Sequence, residues 1–493
     1  KCLRDGWGGN RVWCRSTCEV LASASAMFFN TVFIALCVVC AALLFIQNQG
    51  GSTSLNTTPD FKKFQRVYLV VYLCAVMGDW LQGPYVYALY TMYKFTKQQI
   101  GILFIVGFGS SAIFGPFAGT WADKYGRKLS CILYCVLYIF SCMTKHSPNF
   151  YVLLIGRLTG GMATSILFSS FESWLVAEHN KYFFPSEWLN QTFQFATVGN
   201  SVVAIAAGWL GSMVRDSFGS LVAPFDAAIV FLAVCLGIIF ASWGENKGDS
   251  SGSLPTQRLD GRSKLQVAID SMKRDKKIVL LGLIQSAFEG AMYVFVFMWT
   301  PKLEPLFIDP KTNKTNLPHG QVFGCFMACC MVGSSCVKYL LAWRGTAFKY
   351  MREVYLVGAA SLILPAVVRL DGWSTLFCFF VFEVVCGVYF PSMGMIKSSF
   401  VSEEVRATVY NIFRIPLNII VVTVLSNIGA MSDDTIFTAC GVLLLAAAGL
   451  QHIFLDLAKR DEAKDSMGPA AAATEELSHL NEGEIEENVG KTG

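Results

Sequence analysis

Eight ionisable side chains stand inside long apolar runs of this 493-residue sequence: Asp79, Arg157, Glu172, Glu289, Lys338, Glu383, Lys397 and Arg414. A charge at the centre of a bilayer costs about 2.5–3.5 kcal/mol on insertion scales, so each needs a reason to be there. Two chemistries fit. Cations so placed can hold a small anion through guanidinium and ammonium donors. Carboxyls can carry a proton or pair with those cations. Asp79, Glu289, Glu383 and Arg414 fall near the middle of their runs, whereas Glu172 and Lys397 lie near ends from which they can snorkel to water. Polar and aromatic groups accompany them: Trp80, Gln82, Tyr85 and Tyr87, then Gln285 and Trp299, then Tyr389, and Asn411 beside Arg414. Arg414 is the first candidate anion ligand, with Arg157 and Lys338 behind it. Asp79, Glu172, Glu289 and Glu383 are candidates for proton coupling or ion pairing. Interhelical ion pairs that only hold helices together are the competing use of any single residue in the set.

The elements that position these groups follow from composition. The chain is 54% hydrophobic and only 15% charged, against about 25% charged in a soluble domain. Its apolar residues gather in runs of about 18–25, the length that crosses roughly 30 Å of hydrocarbon as helix. They do not alternate in ten-residue segments, which excludes a transmembrane barrel. A net charge of +4, with basic residues spread between the runs, excludes nucleic-acid binding. The 17 cysteines lie mostly within apolar runs, where they act as small hydrophobes. Cys37 and Cys40 form a CxxC with no second pair and no nearby His, so no metal site is expected. Cys2, Cys14 and Cys18 could pair only in an oxidising compartment. No nucleophile–base motif or nucleotide loop is present, so neither an enzyme nor a cofactor is expected.

Thirteen runs qualify as spans. The first covers 24–47, and it reads as a thirteenth helix, a cleaved signal or a targeting segment. Twelve more follow at 67–90, 98–118, 129–145, 151–177, 191–213, 222–243, 278–300, 320–342, 354–369, 373–396, 405–427 and 434–457, with ends good to about four residues. This organises the chain as a leader (1–60), a six-helix half (61–244), a polar loop (245–277), a second six-helix half (278–458) and an acidic, disordered tail (459–493). Lys62, Lys63 and Arg66, then Lys124, Arg127 and Lys128, then Arg258 to Lys277, crowd one set of loops. That set is therefore cytoplasmic, together with the C-terminus. Asn313-Lys314-Thr315 falls on the other side, where it can be glycosylated.

Between the second and third of the twelve runs stands Gly119-Thr120-Trp121-Ala122-Asp123-Lys124-Tyr125-Gly126-Arg127-Lys128. It resembles the major facilitator loop signature at each specified position: Gly119, Asp123, Lys124, Gly126, Arg127 and Lys128. A loop with Gly at both ends makes a tight turn, and Asp123 can latch a basic group or a helix N-terminus. The resemblance implies an all-α fold of two six-helix halves, with 24–47 an added hydrophobic helix. It also implies that the eight ionisable residues all lie on path-lining helices. Arg157-x-x-x-Gly161 answers Glu383-x-x-x-Gly387, and Asp79 answers Glu289, as expected of halves rocking about a midplane site.

A further resemblance runs over about 60–458. Asp79-Trp80-Leu81-Gln82-Gly83-Pro84-Tyr85, Phe168-Ser169-Ser170-Phe171-Glu172-Ser173-Trp174, Trp243-Gly244-Glu245-Asn246, Phe297-Met298-Trp299-Thr300-Pro301 and Gly387-Val388-Tyr389-Phe390-Pro391-Ser392-Met393 look like the molybdate-anion transporter family. That resemblance implies uptake of molybdate or a related small oxyanion by a plasma-membrane, multi-pass carrier, expected to be a monomer in the lipid bilayer, with proton coupling one option. An organic-solute or drug carrier of the same fold and a non-transporting sensor or scaffold are the alternatives.

Overall fold

The computed structural model describes residues 28–43, 45–46, 57–247, 264–308, 315, 317–402 and 405–467. The Asn313 glycosylation site, Cys2, Cys14, Cys18 and the acidic segment beyond 467 lie outside the described residues.

Helix α1 is Phe28–Leu43. The first half follows as α2 (Pro59–Trp80), α3 (Val86–Met92), α4 (Lys97–Tyr125), α5 (Arg127–Thr144), α6 (Phe150–Lys181), α7 (Ser186–Phe218) and α8 (Ala223–Ser242). Then come α9 (Lys264–Arg274), α10 (Lys276–Leu303), α11 (His319–Arg344), α12 (Met351–Val367), α13 (Gly372–Phe400), α14 (Arg406–Ser426) and α15 (Asp433–Met467). Among the described residues, eleven spans are long and apolar enough to cross a membrane, α2 and α3 counting as one. The twelfth, α12, has 17 residues and reaches only about 25 Å. It packs against α13 and α15.

The helices start where side chains replace missing backbone acceptors. Thr58 accepts from Phe61 N at 3.3 Å with Pro59 in the first turn, Thr96 and Gln99 form a capping box, and Asp275 accepts from Lys277 N at 2.8 Å. Several helices overrun the expected limits: α2 begins at Pro59, α4 runs to Tyr125 and α15 to Met467. For α2 and α4 the backbone hydrogen bonds continue past the apolar core to a cap further out, Thr58 and Gly126. Two other expectations need correction. The stretch taken as a loop contains the amphipathic helix α9, and the expected helix 67–90 is broken. Gly83 and Pro84 interrupt it as a single 3₁₀ turn between α2 and α3.

The chain's polarity defines two ends, a loop face carrying Gly126 and α9, and a far face carrying Lys97, Lys145 and Asp433. The halves meet through α4 with α14 and α7 with α11. Toward the far face they touch tightly. Lys97 Nζ lies 2.5 Å from Asp433, and Gln98 both donates to Ser426 O at 2.7 Å and accepts from Gly429 N at 3.0 Å. Beneath these, Tyr87 and Phe104 meet Phe297 edge-on, and Phe108 meets Tyr293. Helix α1 lies along α11: Cys40 Sγ donates to Ala328 O, Asn30 accepts from Gln321, and Phe29 is buried beside Phe307 and Trp373. It is a thirteenth helix of the bundle.

Candidate functional site

Between the halves lies a cavity of about 610 Å³. Its first wall comes from the interrupted helix. Asp79 and Trp80 end α2, Gln82 and Gly83 form the unwound turn, and unwound backbone is tolerated at this depth because it lines a cavity. Ser111 on α4, Tyr138 and Ser141 on α5, and Arg157 and Thr164 on α6 complete that side. The second half supplies Gln285, Glu289, Tyr293, Trp299 and Thr300 from α10, Lys397 from α13, and Tyr410, Arg414 and Asn418 from α14. Tyr410, Arg414, Leu417 and Val421 recur at helical spacing, so one stripe of α14 faces inward. Phe168 lines the cavity yet is 70% exposed, so the cavity opens toward the loop face while aromatic pairs close it toward the far face.

Three cations and two carboxyls face this space. Arg157 Nε donates to Leu103 O at 3.1 Å, and its guanidinium lies 4.8 Å from the Phe104 ring centroid. Lys397 Nζ donates to Gln285 Oε1 at 3.2 Å and stands 4.5 Å from the Tyr410 ring centroid. Arg414 makes no hydrogen bond or ion pair among the described residues, and it is exposed to the cavity. Asp79 accepts from Tyr138 OH, which also meets Thr164 Oγ1 at 3.2 Å. Glu289 accepts from Tyr389 OH at 3.1 Å. Each carboxyl is thus held by a tyrosine donor, and neither pairs within 4 Å with a cation among the described residues.

Some candidate residues fall elsewhere. Lys338 is exposed on α11, outside the cavity lining, and Asn411 is exposed just off the inward stripe, where Asn418 stands instead. Glu172 is exposed and Glu383 buried, both apart from the cavity. Tyr85 is buried with its hydroxyl 3.3 Å from Ser212 Oγ, and Tyr389 touches the site only through Glu289. Trp80 lines the cavity, but its indole N–H is taken by Asn200 Oδ1 at 2.9 Å. Gln82 spends its amide N–H on Gly78 O at 2.9 Å, replacing a partner that the Pro84 interruption removes. Sequence reasoning singled out Lys397 but gave it only a snorkelling place near a helix end, and it passed over the hydroxyls of Ser111, Tyr138 and Thr164. A hydroxyl inside an apolar run carries no charge cost to betray it.

The signature segment is built differently from a loop with glycine at both ends. Gly119 lies inside α4, and the turn is Gly126 alone, at φ +129°. A Cβ there would lie 2.5 Å from the Glu245 carboxyl carbon. Glu245, just past α8, accepts from Lys128 N at 2.9 Å and Leu129 N at 3.0 Å, so it caps α5. Lys128 Nζ returns to Trp243 O at 2.7 Å, and Asp123 pairs with Arg127 at 2.7 Å. Lys124 lies over the Tyr125 ring, and Trp243 stacks on Trp174 with centroids 3.6 Å apart. Glu245→Ala is expected to remove about 1–2 kcal/mol of capping and to lower the thermal midpoint in detergent; an unchanged midpoint would refute that role.

A family model described as sugar transporters of 12 transmembrane helices matches residues 28–377. The molybdate-anion transporter of Takifugu rubripes is 33% identical over 465 residues, covering 85% of this chain and 94% of the relative. That of Xenopus tropicalis is 34% identical over 415 residues, covering 80% and 87%. The chain belongs to the molybdate-anion transporter family. Among solved structures, the nucleoside transporter NupG superposes with a TM-score of 0.57 at 14% identity, covering 80% of this chain and 99% of that one. The inward-open xylose transporter XylE from E. coli gives 0.59 at 10%, covering 80% and 96%. At that identity they share the fold alone; the family model and the molybdate-anion transporter relatives make the chain a multi-span membrane carrier of the major facilitator type.

Proposed function

We propose that the chain carries molybdate, or a related small oxyanion, across the membrane by alternating access between its two halves. One observation carries this reading: Arg157, Lys397 and Arg414 face a single cavity, and among the described residues none is in an ion pair. Three cations face two carboxyls here, a positive excess that an entering anion offsets. The relatives' name supplies the anion. At about 30 Å³ per water the cavity holds about 20 waters, so a tetrahedral dianion enters with part of its hydration. Guanidinium forks, the Lys397 ammonium and the hydroxyls of Ser111 and Thr164 are the donors such a guest needs.

Asp79 and Glu289 are proposed as the coupling carboxyls, since a proton on each removes the repulsion that an entering dianion meets. Glu172 and Glu383, away from the cavity, receive no part in that step. The basic loops make the loop face cytoplasmic, with the C-terminal end on that side, in a plasma-membrane monomer.

The test is uptake of radiolabelled molybdate at nanomolar concentration in cells lacking their own carrier. Saturable uptake competed by tungstate but not by organic cations is expected, and a proton ionophore should slow it. A correctly inserted protein that takes up no molybdate would sink the substrate reading. An ionophore without effect would remove only the proton coupling.

A further inference from the structure

Lys145 occupies an environment that a helix-end lysine rarely tolerates. By sequence it belongs to a far-face loop, yet it caps the C-terminus of α5 at 1% exposure. Its Nζ reaches only neutral acceptors at long range, Ser141 O at 3.3 Å and Thr144 Oγ1 at 3.5 Å. Carbonyls at a helix end do attract a cation. An ordinary capping lysine, however, keeps its ammonium in water, whereas burying one without a counter-charge costs several kcal/mol. No carboxylate stands within ion-pair distance of Lys145 among the described residues. Those nearby on this face are committed elsewhere: Asp226 to His146 at 2.7 Å, Asp433 to Lys97 and Asp434 to Lys302, both at 2.5 Å.

Two further groups are drawn in, Arg157 from the cavity lining and Tyr90 through its proximity to Arg157. Arg157, itself unpaired by any described carboxylate, stands close enough for the two cations to repel each other. The Tyr90 hydroxyl is fully buried, has no hydrogen-bond partner, and also feels the Arg157 charge. Ser141 joins this group to the main site, because it lines the cavity while its carbonyl holds Lys145. Lys145 therefore stands one helical turn beyond the cavity wall.

We propose that Lys145, with Arg157 and the Tyr90 hydroxyl, forms a second station for a small oxyanion, between the cavity and the far face. The proposal rests on the oxyanion reading above and adds where the guest is received before it reaches Lys397 and Arg414. When the far face opens, Lys145 gains an anionic acceptor in place of its two long neutral ones, and the Tyr90 hydroxyl gains a partner. Arg157, shared by both stations, hands the anion inward.

The experiment measures KM and kcat of molybdate uptake from the far face in cells with matched amounts of wild type, Lys145→Met, Lys145→Arg and Tyr90→Phe. Lys145→Met should raise KM about tenfold, and Tyr90→Phe about threefold, with kcat held within about twofold. Lys145→Arg should restore KM to near the wild-type value. A structural role alone would lower the amount of carrier and leave KM in place. Wild-type uptake with unchanged KM in Lys145→Met overturns the station and spares the transport reading. Should that variant fail to reach the membrane, an unchanged KM in Tyr90→Phe overturns it instead. No uptake by inserted wild type overturns both.

Discussion

Arg414→Ala is expected to lower kcat/KM for molybdate uptake about 100-fold without reducing the carrier present in the membrane. The argument is one of position. Arg414 sits on the inward stripe of α14, exposed to the cavity, with neither ion pair nor hydrogen bond among the described residues to hold its charge. Trimming it removes no hydrogen bond or ion pair among the described residues, only a longer-range attraction to Glu289, so folding should survive. What disappears is a forked donor that only the guest engages. Lys397 and Arg157 remain, which keeps the loss finite. Arg414→Lys preserves charge but not the fork, and a drop of about tenfold is expected. Lys338→Ala is the control: this lysine lies exposed on α11 outside the cavity, and uptake should be unchanged. Equal losses at Arg414 and Lys338 would refute the placement and point to a general effect of surface charge.

The contrast between those two residues marks what the sequence could and could not disclose. Both are single cations in apolar runs, and both met the same cost argument. On a helix that is apolar all round, such as α11, no polar stripe reveals which side a lysine occupies. On α14, by contrast, Tyr410, Arg414 and Asn418 step along one face. The twelve-helix plan was legible because hydrocarbon thickness fixes run length, and the Gly126 turn was legible because its signature residues are contiguous. Long-range commitments were not. The indole of Trp80 is consumed by Asn200, 120 residues away, and α5 is capped by Glu245, 117 residues beyond Lys128. Lys145 was the deepest miss. As the last residue of the expected span 129–145 it looks like a helix end facing water, and only the packing of α5 on α6, together with Tyr93 OH donating to its carbonyl at 2.5 Å, shows it buried.

A second large effect is expected from a residue with no chemistry of its own. At Gly208 on α7 a Cβ would lie 2.4 Å from Gly320 O and 2.6 Å from Gly324 N on α11. The two backbones are in contact there, as membrane helices approach only through small residues. Helix α7 belongs to one half and α11 to the other, so this contact exists only while the far face is shut. A leucine at position 208 cannot be absorbed by a side-chain rotation, because the atoms it meets are backbone. It must wedge the halves apart and bias the population toward the far-open form by several kcal/mol. Gly208→Leu should therefore bind molybdate within about threefold of wild type, since the cavity residues are untouched, while uptake falls about 100-fold. Gly237→Leu on α8, where a Cβ meets nothing within 4 Å, should transport normally. Equilibrium binding on purified protein, set beside uptake in cells, separates the outcomes. Binding and uptake lost together would mean that the fold failed. Both retained would mean that the α7–α11 contact is not the closing step. Binding kept and turnover lost would identify far-face closure as the motion that commits the anion to cross.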